Sequence, residues 1–210
     1  MITIIDYGAG NLKNVKHAFE RLGVEANIRS NPDTLQESTA LILPGVGAFR
    51  DAMATLREKQ FIRPIYEHIE RGKPFLGICL GYQLLYEKSY EDGEWEGLGI
   101  LKGEVVPFST DRKVPHMGWN QLKKNPNRTD SMMENVQDGE YVYFVHSYFV
   151  QPTDPDETLF YTDYGTTFSA ASRKENVIGM QFHPEKSGET GKKLLKNFVE
   201  LISFDSFSSN

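Results

Sequence analysis

The chain's single cysteine stands at the centre of Gly77-Ile78-Cys79-Leu80-Gly81, after the apolar Pro74-Phe75-Leu76 and before Tyr82-Gln83-Leu84-Leu85-Tyr86-Glu87. The order reads as strand, sharp turn and helix. In a turn of the form Gly-x-nucleophile-x-Gly, the middle side chain is held on a strained bend over the carboxyl end of a sheet. The free N–H groups that open the following helix face it and favour thiolate over thiol. Free cysteines are more often small buried hydrophobes. The flanking glycines are what move Cys79 from that default towards a nucleophile.

A thiolate that performs acyl transfer needs a base, and the base needs a partner that fixes its tautomer. Of the five histidines, His17 and His68 fall within helical patterns and read as solvated, while His116 and His146 sit in or beside strand-like segments. His183 stands apart. It follows the apolar strand Ile178-Gly179-Met180-Gln181-Phe182 and precedes Pro184 and Glu185. The proline stops the strand, which leaves an imidazole and a carboxylate at a strand end, where α/β sheets place their active sites. A three-residue match is weak alone. Beside the Gly-x-Cys-x-Gly turn it is strong, because the two supply complementary parts of one machine.

Metal and dinucleotide chemistry find no support in the spacing. One cysteine and scattered histidines form neither Cys-x-x-Cys nor His-Glu-x-x-His, so no metal site is expected. Gly8-Ala9-Gly10 begins like a dinucleotide fingerprint, but Lys13 takes the place of its third glycine. No cofactor is expected.

The elements that must position Cys79 and His183 are legible from periodicity. In the first half, strand patterns at Ile2 to Ile5, Val24 to Ile28 and Ala40 to Leu43 alternate with helical ones. The helices are read at Leu12 to Leu22, closed by Gly23, at Ala48 to Arg57, and at Phe61 to Arg71, closed by Gly72. This is the pattern of a parallel sheet covered on both faces. In the second half, Leu98 to Phe108, Val114 to Leu122, Tyr141 to Val150, Leu159 to Tyr164, Phe168 to Arg173 and Val177 to Phe182 read as strands with antiparallel pairing. A last helix is expected over Gly188 to Ile202, followed by a frayed serine-rich tail from Ser203.

The 210 residues fit one large α/β domain, placed at 1–203 with a disordered tail at 204–210. A net charge of −6, with lysine and arginine nowhere concentrated, argues against a nucleic-acid surface. The apolar runs are too short to span a bilayer. With no signal-peptide pattern at Met1 and a lone thiol kept reduced, the expected location is cytoplasmic.

The chain resembles the class I, or triad, glutamine amidotransferases, over nearly its whole length. Within them it is similar to the glutaminase subunits of imidazole glycerol phosphate synthases. Four stretches carry the closer resemblance: Asp6-Tyr7-Gly8-Ala9-Gly10-Asn11, Pro44-Gly45-Val46-Gly47, Pro115-His116-Met117-Gly118-Trp119-Asn120, and Phe144-Val145-His146-Ser147-Tyr148-Phe149. The resemblance implies a flavodoxin-like three-layer sandwich, with a mostly parallel central sheet and an antiparallel extension. It implies a catalytic triad of Cys79, His183 and Glu185 that hydrolyses glutamine. Oxyanion donors would come from Leu80 and from the Gly45–Val46 peptide, which is thought able to point either way. On its residues alone that turn reads equally as an ordinary loop.

For glutamine binding, the resemblance implies Gln83 one helical turn beyond Cys79, Glu91 on the α-ammonium, and Gly47, Ser147 and Tyr148 on the carboxylate and amide. Without the resemblance, Gln83 reads equally well as a solvated helix residue, and for Glu91, in the polar run Glu87 to Glu96, a solvated loop carboxylate is the default reading. The implied partner is a separate (β/α)8 cyclase subunit that consumes the ammonia, touched by Trp119, Tyr143 and Lys186. As residues alone, Trp119 and Tyr143 fit a buried core as well as an interface. A different synthase partner and a catalytically silent regulatory subunit are the competing readings; the Pro-His-Met-Gly-Trp-Asn stretch opposes the first and the intact triad the second.

Overall fold

The computed structural model describes residues 1–109 and 111–207, the side chains of 204–207 excepted. In chain order the first half gives β1 (Ile2–Ile5), α1 (Leu12–Glu20), β2 (Ala26–Arg29), β3 (Ala40–Leu43), α2 (Phe49–Glu58), α3 (Ile62–Glu70), β4 (Phe75–Ile78) and α4 (Leu80–Leu84). β1, β3 and β4 are buried along their whole length. Strands covered on both faces must be continuously apolar, which is why these runs lack a polar alternation.

The second half gives β5 (Lys88–Ser89), β6 (Trp95–Glu96), β7 (Gly103–Pro107), β8 (His116–Gln121), β9 (Lys123–Lys124), β10 (Tyr141–His146), β11 (Tyr148–Pro152), β12 (Thr158–Asp163), β13 (Thr167–Lys174), β14 (Val177–Met180) and α5 (Gly188–Phe207). The main sheet has the order β2-β1-β3-β4-β14-β13-β12-β9. Its first five strands run parallel and the last three antiparallel.

Alternate residues of the sheet feed two cores. Ile4, Ile42, Leu76, Ile78, Ile178 and Met180 pack on one face with Val15, Phe19, Leu195 and Phe198 of α1 and α5. Ile5, Leu41, Leu43 and Phe75 pack on the other with Phe49, Leu56, Ile65 and Tyr82 of α2, α3 and α4. Three layers result, with the antiparallel extension at one side. Among the described residues no helix is long and apolar enough to cross a membrane.

Several elements differ from the sequence expectation. β14, read as part of an antiparallel half, pairs parallel with β4, Met180 opposite Ile78, and antiparallel only with β13. That switch sets the ends of β4 and β14 side by side. The helix after Cys79 lasts only Leu80–Leu84, because Leu98, Gly99 and Leu101 donate their N–H groups to the carbonyls of Leu84, Tyr86 and Leu85. The expected strand from Leu98 therefore begins at Gly103. The run Tyr141 to Val150 breaks at Ser147, its halves joining different sheets: β10 pairs with β8 and β11 with β7. The polar run Glu87 to Glu96 contributes β5 and β6. α5 continues past Ile202 to Phe207 where fraying was expected; residues 208–210 of that tail lie outside the described residues.

Candidate active site

Cys79 follows β4 with φ 56° and ψ −112°, a left-handed conformation that costs a non-glycine residue on the order of 1–3 kcal/mol. Its surroundings fix it. The Cys79 N–H donates to the Met180 carbonyl of β14 at 2.8 Å. A Cβ at Gly81 would stand 1.8 Å from the Leu43 carbonyl oxygen, and one at Gly77 2.7 Å from that of Gly81. The glycines are needed because neighbouring backbone passes through the space a side chain would fill. The sulfur lies 3.8 Å from the Val145 carbonyl and 4.0 Å from Gln181 Nε2.

At the end of β14, Phe182 is buried and the chain leaves the sheet at His183, whose N–H donates to the Tyr143 carbonyl at 3.0 Å. His183 Nδ1 lies 2.7 Å from Glu185 Oε1, with both side chains almost wholly buried. Nε2 is buried. Burial works against a charged ring, but Cys79 and Glu185 outweigh it and hold the His183 pKa up at about 10. Cys79 and the His183–Glu185 pair therefore lie beyond the ends of two adjacent parallel strands.

Beside them is a cavity of about 300 Å³ lined by Val46, Gly47, Cys79, Leu80, Gln83, Glu91, Pro115, Val145, His146, Ser147 and Tyr148. That volume suits a single small molecule. All five residues expected to bind glutamine line it. Gln83 is buried, contrary to the solvated reading, and its Nε2 donates to the Tyr148 carbonyl at 2.9 Å and to Gln181 Oε1 at 3.0 Å. Glu91 is half-buried, contrary to its reading as a solvated loop carboxylate. One of its oxygens accepts the N–H of Phe49 at 2.8 Å at the start of α2, and burial pushes its carboxyl up from the ordinary value.

The Gly45–Val46 peptide has a defined direction. The Leu80 N–H donates to the Gly45 carbonyl at 3.3 Å. A trans peptide sends its C=O and N–H to opposite sides, so the Val46 N–H points away from Leu80. No side chain could replace Gly45, since a Cβ there would meet the Tyr7 hydroxyl at 2.7 Å and Leu80 Cβ at 2.9 Å.

The remaining expectations divide. Trp119 is 56% exposed and packs edge-on against the half-buried Tyr143 opposite it, ring centres 6.0 Å apart. Neither is a core residue. Lys186 is exposed on the turn after His183. His17 is exposed as expected, whereas His68 is buried, with Nε2 3.0 Å from the Pro74 carbonyl and a pKa lowered by burial to about 4. The correction arises because the inner face of α3 is narrow and His68 falls on it one turn after Ile65. Gln181, Val145 and Pro115 were missed. Gln181 is fully buried beside the sulfur, and a glutamine inside an otherwise apolar strand was the available signal.

The family described as glutamine amidotransferase class-I matches residues 3–202. The chain belongs to that family. Among related amidotransferases, one from Caldanaerobacter subterraneus subsp. tengcongensis, named imidazole glycerol phosphate synthase subunit HisH, is 50% identical, across 96% of this chain and 98% of its own. A subunit of the same name from Aquifex aeolicus is 52% identical, across 93% and 94%. Among solved structures, PurLQS from Thermotoga maritima superposes with a TM-score of 0.76 at 23% identity, covering 96% of this chain and 98% of that one. At that identity the likeness shows the amidotransferase fold.

Proposed function

We propose that this chain is the glutaminase subunit of imidazole glycerol phosphate synthase. It hydrolyses glutamine to glutamate and ammonia and delivers the ammonia to a cyclase subunit, which forms imidazole glycerol phosphate and aminoimidazole carboxamide ribotide in histidine biosynthesis. One observation carries the reading: a strained cysteine and a histidine–carboxylate pair stand on adjacent strand ends beside a cavity of amino-acid size. The relatives' shared name supplies the synthase. The functional unit is residues 1–203, acting in the cytoplasm, where a free thiol stays reduced.

In the reaction, the Cys79 thiolate attacks the carboxamide carbon of glutamine and pushes negative charge onto its oxygen. His183, held as an imidazolium by Cys79 and Glu185, protonates the nitrogen as the C–N bond breaks and ammonia leaves. A glutamyl thioester remains. The now neutral ring takes a proton from water as its oxygen attacks the thioester. The C–S bond then breaks to release glutamate, whose new carboxyl loses its proton to solvent, and to restore the Cys79 thiolate beside the imidazolium. Glu185 holds the ring in orientation through Nδ1. Gly47, Ser147 and Tyr148 hold the substrate's carboxylate and amide, Gln83 sets the Tyr148 carbonyl, and Glu91 offers its unshared oxygen to the α-ammonium.

The charged oxygen needs two preorganised donors, each worth about 2.7–4 kcal/mol in such sites. Leu80 N–H is one, and the Gly45 carbonyl occupies it. The other is Val46 N–H, turned away. The free subunit is therefore a poor glutaminase, and docking of the cyclase shifts the population to the turned peptide. Val46 is 48% exposed, as are Met117 at 61% and Trp119 at 56%, and the cyclase covers this side with Tyr143 and Lys186. The test mixes the chain with a histidine-pathway cyclase and follows product from glutamine or from ammonia. Cys79→Ala should abolish the first and spare the second. Loss of neither would overturn the reading, and equal glutamine hydrolysis by the free chain and the complex would remove the switch.

A further inference from the structure

The pair that the mechanism leaves unused is His116 and His146, facing each other across β8 and β10 and both buried. His146 Nδ1 lies 2.8 Å from the Tyr148 carbonyl oxygen, His146 Nε2 2.8 Å from His116 Nδ1, and His116 Nε2 3.2 Å from Asn120 Nδ2. Chemistry fixes every proton on this line. A carbonyl can only accept, so His146 Nδ1 carries hydrogen. The neutral ring then has a bare Nε2, which accepts from His116 Nδ1–H. His116 Nε2 is bare in turn and accepts from the Asn120 amide. The amide's direction is set independently, since its oxygen accepts the N–H of Gln121 at 2.8 Å and its nitrogen also donates to the Asp163 carbonyl at 2.8 Å.

The line is enclosed by aromatic rings. His116 is stacked between Phe144 and Tyr164, with centres 4.8 Å and 4.1 Å away, and Phe168 sits edge-on to both imidazoles. A second proton on either ring would set donor against donor somewhere along it. Burial enforces the same outcome, lowering His116 to about 4; His146 is lowered to about 3 by burial together with the neighbouring His116 and His183 rings.

The two ends of the line differ in kind. Asn120 adjoins Trp119 on the exposed ribbon of β8 and β10. The Tyr148 carbonyl belongs to the cavity wall and also accepts Gln83 Nε2, so it ties the ribbon to the helix that follows the nucleophile. We propose that Asn120, His116 and His146 are positioning residues, forming a neutral polar strut through an apolar core that sets the Ser147–Tyr148 wall of the glutamine pocket relative to the ribbon that meets the cyclase. The proposal rests on the reading of that cavity as the glutamine site.

The test uses the chain assembled with a histidine-pathway cyclase, with ammonia-driven turnover, which bypasses this chain, as the control for an intact partner. His146→Phe should raise KM for glutamine about tenfold or more with a smaller fall in kcat, as expected when a buried donor to the substrate wall is lost. His146→Asn, whose amide nitrogen stands in for Nδ1–H, should recover most of it. Nitrogen NMR of the full chain should show both rings as the neutral Nδ1–H tautomer at neutral pH. Asn120→Asp, which accepts where the amide donated, should let His116 take a second proton on Nε2 while its Nδ1–H stays on His146. Opposite tautomers in the unsubstituted chain, or unchanged KM in His146→Phe, would overturn the strut. If the unsubstituted complex did not hydrolyse glutamine, the functional reading would fall instead, and the NMR result would still judge the strut.

Discussion

The turn after β14 and the ribbon of β8 and β10 both hold buried imidazoles, and their surroundings push them in opposite directions. On one side His183 sits against Cys79 and Glu185 with its pKa up at about 10. On the other, His116 and His146 are held at about 4 and about 3. Desolvation by burial heads the causes for all three and always opposes the charged ring. The difference lies in the partners: a carboxylate and a sulfur face His183, whereas a carbonyl, an amide and another imidazole face the other two. Burial thus does not decide whether a histidine is an acid catalyst or a structural link. The accepting groups around it do.

The largest test of that contrast removes the charged ring. His183→Gln should lower glutamine-driven turnover of the assembled enzyme by about 10³-fold or more while ammonia-driven turnover persists. A loss below tenfold would mean that another group supplies the proton. Next, Glu185→Gln leaves the ring but takes its carboxylate. Turnover should fall by about 10²- to 10⁴-fold, and the His183 titration followed by NMR should move down from about 10. A titration that stays put would assign the raised pKa to Cys79 alone.

A stability measurement sharpens the comparison further. Because the folded-state pKa of His183 lies above its unfolded value near 6.5, its contribution is fully present below about pH 6.5 and is lost as pH rises through about 10. The melting-temperature gap between the unsubstituted chain and Glu185→Gln should shrink over that window; a constant gap would contradict it. The smallest effect concerns His68, whose lowered pKa has the opposite sign. Its contribution is present above about pH 6.5 and is lost as pH falls towards about 4. His68→Gln, with an amide able to reach the Pro74 carbonyl, should flatten the melting temperature between pH 6.5 and 4, and an unchanged slope would remove His68 from the acid response.

The grouping of Cys79, His183 and Glu185 was legible because its signals are local: glycines around Cys79, and Pro184 between His183 and Glu185 just beyond a strand that ends at Met180. The buried parallel strands were legible for a similar reason, since runs such as Ala40–Leu43 cannot face water. Partnership between distant strands was not. Val177–Met180 looks the same whether it pairs parallel or antiparallel, and only the assembled sheet shows that it does both. His68 and Gln83 look polar in sequence and are buried where partners meet them, the Pro74 carbonyl for His68 and the Tyr148 carbonyl and Gln181 amide oxygen for Gln83. The direction of the Gly45–Val46 peptide had no signal either, because glycine leaves both orientations open.

Under the proposed switch, that peptide also sets how the free subunit falls short. The Gly45 carbonyl accepts the Leu80 N–H; with that N–H as the proposed oxyanion donor, the carbonyl competes with the reacting amide oxygen and is tethered to the protein. Such a competitor cannot be diluted, and added substrate cannot displace it unless the substrate prefers the turned peptide. The deficit of the unpartnered subunit should therefore lie in the maximal rate and persist at saturation. On that reading glutamine is spared when the cyclase is absent, however abundant it becomes.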